Sequence, residues 1–104
     1  MTRGDVFRIR LPTGRGHEQR EPRYAVLLQA DELLALSTVI VAPTSQSAAP
    51  ATFRPEVAVG GERTRVLVEQ LRTVDLQRLD DHVGRLEPAE LRAVDDALEL
   101  VLGL

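Results

Sequence analysis

Ten consecutive residues, Gly14-Arg15-Gly16-His17-Glu18-Gln19-Arg20-Glu21-Pro22-Arg23, bring together two glycines, a histidine, two carboxylates, an amide and three arginines. Strand-like apolar runs flank the segment on both sides. Its glycines free the backbone to turn, and Pro22 fixes the exit into the next strand. A polar loop held between strands is where a small domain keeps its chemistry. Two further clusters stand out, Thr44-Ser45-Gln46 and Glu69-Gln70-Leu71-Arg72-Thr73. Taken singly, each reads as a surface group, and an exposed ion pair contributes little to stability. Taken together, they supply a carboxylate, guanidinium groups, hydroxyls and amides. That set suits acid–base chemistry on a phosphodiester, with Arg neutralising the phosphoryl oxygens and hydroxyls donating to the developing charge. An RNA chain would bring its own 2′-hydroxyl as nucleophile, which removes the need for a metal-activated water.

Other chemistries are set aside on composition. The chain has no cysteine, and its only histidines are His17 and His82. The carboxylate pairs Asp80-Asp81 and Asp95-Asp96 are sequence neighbours that point in different directions. No metal site and no cofactor is expected. Gly14-Arg15-Gly16 lacks the third glycine and the following helix of a dinucleotide loop, and no Walker pattern occurs. No serine sits in a nucleophile-elbow context.

All 13 basic residues are Arg, so no lysine can serve as base or form a Schiff base, and every cation is a fork-shaped binder of phosphate or carboxylate. The net charge of −3 is unlike that of a generic nucleic-acid binder. Its distribution is uneven. Residues 1–23 carry six Arg against three acids, whereas residues 75–104 carry three Arg against eight acids. A local anion site and an acidic far end can coexist in one small fold. At 104 residues the chain reads as one domain, 1–104. It shows no apolar signal core and no run approaching the roughly 20 residues of a membrane span, so a soluble, cytoplasmic protein is expected.

The elements that must position these residues are mostly strands. From Phe7 to Leu11 the chain alternates strictly, with Phe7, Ile9 and Leu11 on one face and Arg8 and Arg10 on the other. Tyr24–Leu28 reads as a more deeply buried strand. Asp31–Leu36 fits one helical turn or a loop. Thr38–Ala42 is a β-branched strand that Pro43 should stop. Thr44–Pro55, rich in Ser, Ala, Thr and Pro, predicts a long mobile loop. Glu56–Val59, Thr64–Glu69, Leu71–Val74 and Val83–Leu86 complete the strands, with Gly60-Gly61 as a tight turn. One helix closes the chain. Pro88 marks its start, Leu91, Val94, Leu98 and Val101 form its stripe, Ala97 and Leu102 widen it, and Gly103 ends it. Short strands followed by one terminal helix indicate a mainly β fold, a small antiparallel barrel.

A resemblance follows from the order of the motifs. Arg3-Gly4-Asp5-Val6, Gly16-His17-Glu18-Gln19 and a Pro-Arg before a buried strand come first. Val41-Ala42-Pro43-Thr44-Ser45 follows, then Val66-Leu67-Val68-Glu69-Gln70-Leu71-Arg72-Thr73-Val74-Asp75, then Val83-Gly84-Arg85-Leu86 and the closing helix. Across nearly the whole chain this series resembles the MazF/PemK family of toxin endoribonucleases. The resemblance implies an SH3-like barrel with a C-terminal helix, working as a homodimer. It implies cleavage of single-stranded RNA without metal, to a 2′,3′-cyclic phosphate and a 5′-OH, and a cognate antitoxin that blocks the site. Carried over by motif, Arg23 is the catalytic arginine, Thr44 the catalytic hydroxyl and Glu18 the loop carboxylate. His17, Gln19, Ser45, Gln46, Glu69, Gln70 and Arg72 fall where members contact or position RNA. Two positions depart. Pro22 precedes Arg23 where the family has Arg-Pro, and Phe7-Arg8 stands where it has an aromatic pair including Trp, a stacking surface for bases. The same barrel also builds toxins resembling CcdB, which bind DNA gyrase and cut nothing. That is the alternative from a different class, and such a toxin needs no Arg23–Thr44 pair. The apolar strands Thr38–Ala42 and Val66–Glu69, with the terminal helix, offer more surface than one small barrel should hide, again favouring a dimer.

Overall fold

The computed structural model describes residues 1–10 and 23–104. Its strands are β1 (Asp5–Ile9), β2 (Arg23–Leu27), β3 (Thr38–Ser45), β4 (Glu56–Val59), β5 (Glu62–Val66), β6 (Arg72–Asp75) and β7 (Leu79–Arg85), followed by helix α1 (Pro88–Leu102). Short 3-10 turns occupy Asp31–Leu33, Val68–Gln70 and Leu76–Arg78. The antiparallel sheet runs β4-β5-β3-β2-β1-β7, with β6 added beside β3. It curls until β4 and β7 approach each other, a half-barrel, with α1 closing one side. The expected mainly β barrel with a terminal helix is the architecture observed.

Two apolar clusters hold the sheet, one on each face. The inner cluster joins Val6, Val26, Leu28, Ala42, Val57, Val66, Val68 and Leu86 to Val94 and Ala97 of the helix. The outer cluster joins Ile9, Ala25, Leu27, Val39, Val41 and Val74. β1 therefore buries residues on both faces, Val6 inward and Ile9 outward, rather than on one face only. The expected dimer surface is also revised. Val39, Val41, Ala42, Val66, Leu67 and Val68 are buried within the chain itself, because the sheet is covered on both sides. The exposed large apolar residues are Met1, Leu33, Leu36 and Ile40, and Leu100, Leu102 and Leu104 at the end of the chain.

Pro43 does not stop its strand. β3 pairs with β2 along one side and, along the other, first with β6 and then with β5. The N–H and C=O of one strand residue point to the same side. Leu67 N–H donates to the Pro43 carbonyl at 2.8 Å, so the nitrogen that lacks a hydrogen faces the gap between β6 and β5. A proline at such a break costs the ladder nothing. Leu67–Glu69, expected as strand, departs from strand geometry for a related reason. The chain must cross from β5 to β6, and it does so in the 3-10 turn, with Gln70 N–H on Leu67 O and Leu71 N–H on Val68 O. β7 starts earlier than its apolar residues suggest. Register shifts against β1 between Val6 and Phe7 and between Phe7 and Ile9 remove the period-two signal.

The helix forms as expected. Glu87 and Glu90 make a reciprocal capping box, Pro88 opens the first turn, and Gly103 ends the helix at φ 70. Val94 and Ala97 are buried and Leu91, Leu98 and Val101 pack at the margin, while Leu102 faces solvent. Gly60 and Gly61, at φ 60 and 83, turn β4 into β5 as their type requires. Leu27 is fully buried, so Leu27→Ala should cost about 2–5 kcal/mol in urea unfolding. Leu102→Ala, on the exposed end of the stripe, should stay within about 0.5 kcal/mol. Equal effects of the two substitutions would contradict this division of the core.

Candidate active site

Arg23 opens β2, half-buried, and pairs with Ile9 of β1. Pro43 lies opposite Ala25, and the Thr44 hydroxyl reaches the carbonyl of Tyr24, the residue after Arg23. β2 and the Thr44-Ser45 end of β3 thus adjoin close to Arg23. Glu18, His17 and Gln19 lie outside the described residues, as do Leu11 and all but the last residue of the Gly14–Arg23 loop.

Thr44 and Ser45 part company at this point. Thr44 is buried at 5% exposure and pairs with Val66, a member of the inner cluster. Its hydroxyl donates to the Tyr24 carbonyl at 3.1 Å. Ser45 pairs with Arg65 on the opposite face and is half-buried. Its Oγ lies 3.4 Å from that of Ser47. Gln46 is exposed, and its Nε2 donates to Glu62 Oε2 at 2.6 Å.

The segment after β3 is not the loose loop that its composition predicts. Arg54 ties it down. Its Nη2 and Nε donate to Glu69 Oε2 at 2.6 and 2.9 Å, and its Nη1 to the Ala49 carbonyl at 3.1 Å. The guanidinium also lies over the Phe53 ring, 5.5 Å from its centroid. Arg65 Nη1 donates to the Arg54 carbonyl, and Val66 N–H to the Pro55 carbonyl. Glu69 is therefore an anchor for this segment. Its side chain is about a quarter exposed, and the Arg54 hydrogen bonds hold its carboxyl below the ordinary 4.5. Gln70, beside it in the 3-10 turn, is exposed. Arg72 is exposed in β6 opposite Val41, and shares the outer face with Arg23 and Ser45.

Sequence reasoning passed over Arg65 and Arg54. Arg65 carried a usable signal: in Arg63-Thr64-Arg65-Val66 the arginines alternate with inward-facing residues. Arg54 carried none, because its partner Glu69 is 15 residues away. The Phe7-Arg8 pair retains an aromatic contact. Phe7 meets His82 edge to face at 5.2 Å, and His82 Nε2 sits 3.3 Å from Oδ1 of the buried Asp5. Among the described residues no group of three His, Cys, Asp or Glu could hold a metal ion. No helix there is long and apolar enough to cross a membrane.

A curled antiparallel half-barrel with a terminal helix is a fold that solved MazF structures share. Residues 2–102 match the model of the PemK-like, MazF-like toxins of type II toxin–antitoxin systems, and the chain belongs to that family. It is 43% identical to a candidate toxin of Mycobacterium tuberculosis, Rv3098A, over 100% of this chain and 99% of the relative. It is 33% identical to endoribonuclease EndoA of Bacillus subtilis, over 100% and 96%. The fold matches MazF of Deinococcus radiodurans with a TM-score of 0.82 at 21% identity, covering 100% of this chain and 97% of that one. It also matches a mycobacterial endoribonuclease solved with its cognate antitoxin, with a TM-score of 0.82 at 17% identity, over 100% and 96%. The family model and the relatives named endoribonucleases disfavour the gyrase-binding alternative.

The Glu69–Arg54 pair makes a pH-dependent tether. A carboxyl with a lowered folded value adds stability above its ordinary pKa, and that stability is lost as pH falls through the folded value. Glu69→Gln should lower the melting temperature at pH 7, and the gap to wild type should close as pH drops below 4.5. Thermal melts from pH 7 to pH 3 measure this, and a gap of constant size would contradict the assignment.

Proposed function

We propose that this chain is the toxin of a type II toxin–antitoxin pair and acts as an endoribonuclease on single-stranded RNA without a metal ion. The observation that carries the reading is the likeness, over the whole chain, to relatives named endoribonucleases, and the Thr44 hydroxyl bonded to β2 next to Arg23 supports it. The reaction is an internal transfer. The 2′-oxygen bonds to phosphorus, the bond from phosphorus to the 5′-oxygen breaks, and a proton lost from the 2′-hydroxyl is matched by one delivered to the leaving 5′-oxygen. The products are a 2′,3′-cyclic phosphate and a 5′-OH, and no water is consumed. Arg23 neutralises the phosphoryl oxygens as charge builds, and a hydroxyl at the β3 end donates to them. Glu18 moves the protons as general base or acid. His17, Gln19, Gln46, Gln70 and Arg72 contact the RNA. Two features support metal independence: the chain has no cysteine, and it has only two histidines.

The working unit is a homodimer of this single domain, and the partner that silences it is a cognate antitoxin. Two matched mycobacterial and Deinococcus structures hold their antitoxins, which supports a similar arrangement here. An acidic antitoxin tail and an RNA backbone would compete for the same arginines, with a salt dependence set by counterion release.

Arg23→Ala should lower the cleavage rate by about a hundredfold or more, on the scale of a lost transition-state donor. Wild-type activity should be unchanged in excess EDTA, with cyclic phosphate at the new 3′ ends. Gel mapping of cut ends and mass spectrometry of the fragments give both readouts. Activity that returns only with added magnesium would refute the mechanism.

A further inference from the structure

The chain holds three aromatic side chains, Phe7, Tyr24 and Phe53. Tyr24 packs on the inner cluster, and Phe7 meets His82 edge to face. Phe53 belongs to neither apolar cluster, although it is half-buried. Its ring is covered instead by the Arg54 guanidinium, 5.5 Å from the centroid. Aromatic rings chiefly contribute stability by filling a core. A ring outside the core, fixed on a connecting segment, calls for another reason.

The segment is held at several points. Phe53 sits in a turn that Arg54 N–H closes on the Ala51 carbonyl at 3.0 Å. The Arg54 side chain gives its donors to Glu69 Oε2, at 2.6 and 2.9 Å, and to the Ala49 carbonyl at 3.1 Å. Arg65 Nη1 donates to the Arg54 carbonyl at 3.1 Å, and Arg65 stands opposite Ser45 at the end of β3. Arg54 is thus neutralised by Glu69, which makes it a brace for the ring and not a phosphate clamp. The ring is placed before any ligand arrives, so binding there avoids much of the cost of ordering. Arg54 covers one face of the ring. The opposite face is the one a second planar group can take, and the residue is not closed off from solvent. A nucleobase is planar and stacks on an aromatic side chain whatever its identity. Arg65, next to the segment, brings positive charge for the phosphates that accompany a base.

Resting on the endoribonuclease reading above, we propose that Phe53 is a stacking platform for one nucleobase of the single-stranded RNA. Stacking moves no proton and breaks no bond, so it contributes to binding whether or not the strand is cut.

The chain has no Trp, so Phe53→Trp puts a single indole on the platform. A single-stranded 2′-O-methyl oligonucleotide has no free 2′-hydroxyl and cannot be cleaved by internal transfer. It should quench the indole emission in a saturable titration, and an abasic strand of equal length and charge should leave the emission unchanged. Phe53→Leu keeps an apolar side chain at the position. It should melt cooperatively near the wild-type temperature and bind the oligonucleotide about tenfold or more weakly. Its slope of log affinity against log salt should match wild type, because no phosphate contact is lost. An indole that stays bright while a labelled oligonucleotide binds, followed by anisotropy, would overturn the proposal. So would wild-type affinity in Phe53→Leu, or quenching by the abasic strand. A protein that gives the expected binding results but cuts no RNA would refute the nuclease reading and leave the platform standing. Failure of wild type to bind any single strand would overturn both.

Discussion

Strand β3 must serve three partners, and the single imide nitrogen of Pro43 determines how it does so. From Thr38 to Val41 its free side is occupied by β6, and from Thr44 to Ser45 by β5. Between them the ladder has to break, and proline fits a break because it brings no donor to be left unpaired. The Leu67 N–H on the Pro43 carbonyl holds the two partner strands together across the gap. Every side chain beyond Pro43 takes its direction from this junction. A slip of one residue would turn Ser45 into the core and Thr44 out of it, since strand side chains alternate with period two. The directions of the Thr44 and Ser45 hydroxyls are thus a consequence of backbone pairing, with the side chains following.

A sheet buried on both faces explains how so small a chain holds this junction rigid. Val26 and Leu28 point to the helix side, while Ala25 and Leu27 point to the other, so β2 has no solvent face along most of its length. The N-terminal turn then fixes the helix against the sheet. Thr2 N–H donates to Asp5 at 2.8 Å, Arg3 N–H to Asp31 at 2.7 Å, and the Arg3 guanidinium to Asp95 of the helix at 2.7 Å. These are partly exposed contacts that individually contribute little. Their value is geometric, because they join the chain start, the segment after β2 and the helix at one point.

Much of this was legible in the residues, and the exceptions have identifiable causes. Alternation found β1, and β-branched runs found β3, because those signals are local. The helix was legible from its cap, its stripe and Gly103. The continuation of β3 through Pro43 was not legible, since local preference says proline ends a strand and only the partner exchange permits it. The tether on the Ser- and Ala-rich segment depends on Arg54 meeting Glu69, a tertiary contact between residues 15 apart in sequence. At the site, residue types pointed to an arginine and a hydroxyl pair. They could not say which of two adjacent hydroxyls faces outward, because that depends on register, which is set by strands elsewhere in the chain.

The same register resolves an electrostatic tension. The chain carries a net charge of −3, and its last third is strongly acidic, which opposes the approach of a polyanion. Glu87, Glu90, Asp95, Asp96 and Glu99 belong to the terminal helix and its cap, and that helix packs on the inner face through Val94 and Ala97. Arg23, Arg65 and Arg72 are carried on the outer face. The sheet and its two apolar layers lie between the opposite charges. The body of the sheet keeps the two sets from pairing directly. Exposed charges separated by more than about 8–10 Å are also screened by salt at physiological ionic strength. An anion approaching the outer face therefore meets the arginines first and the acidic helix only through the body of the protein. Local sign, not net charge, governs what this surface can hold, and the strand register that turns Ser45 outward places it among the cations.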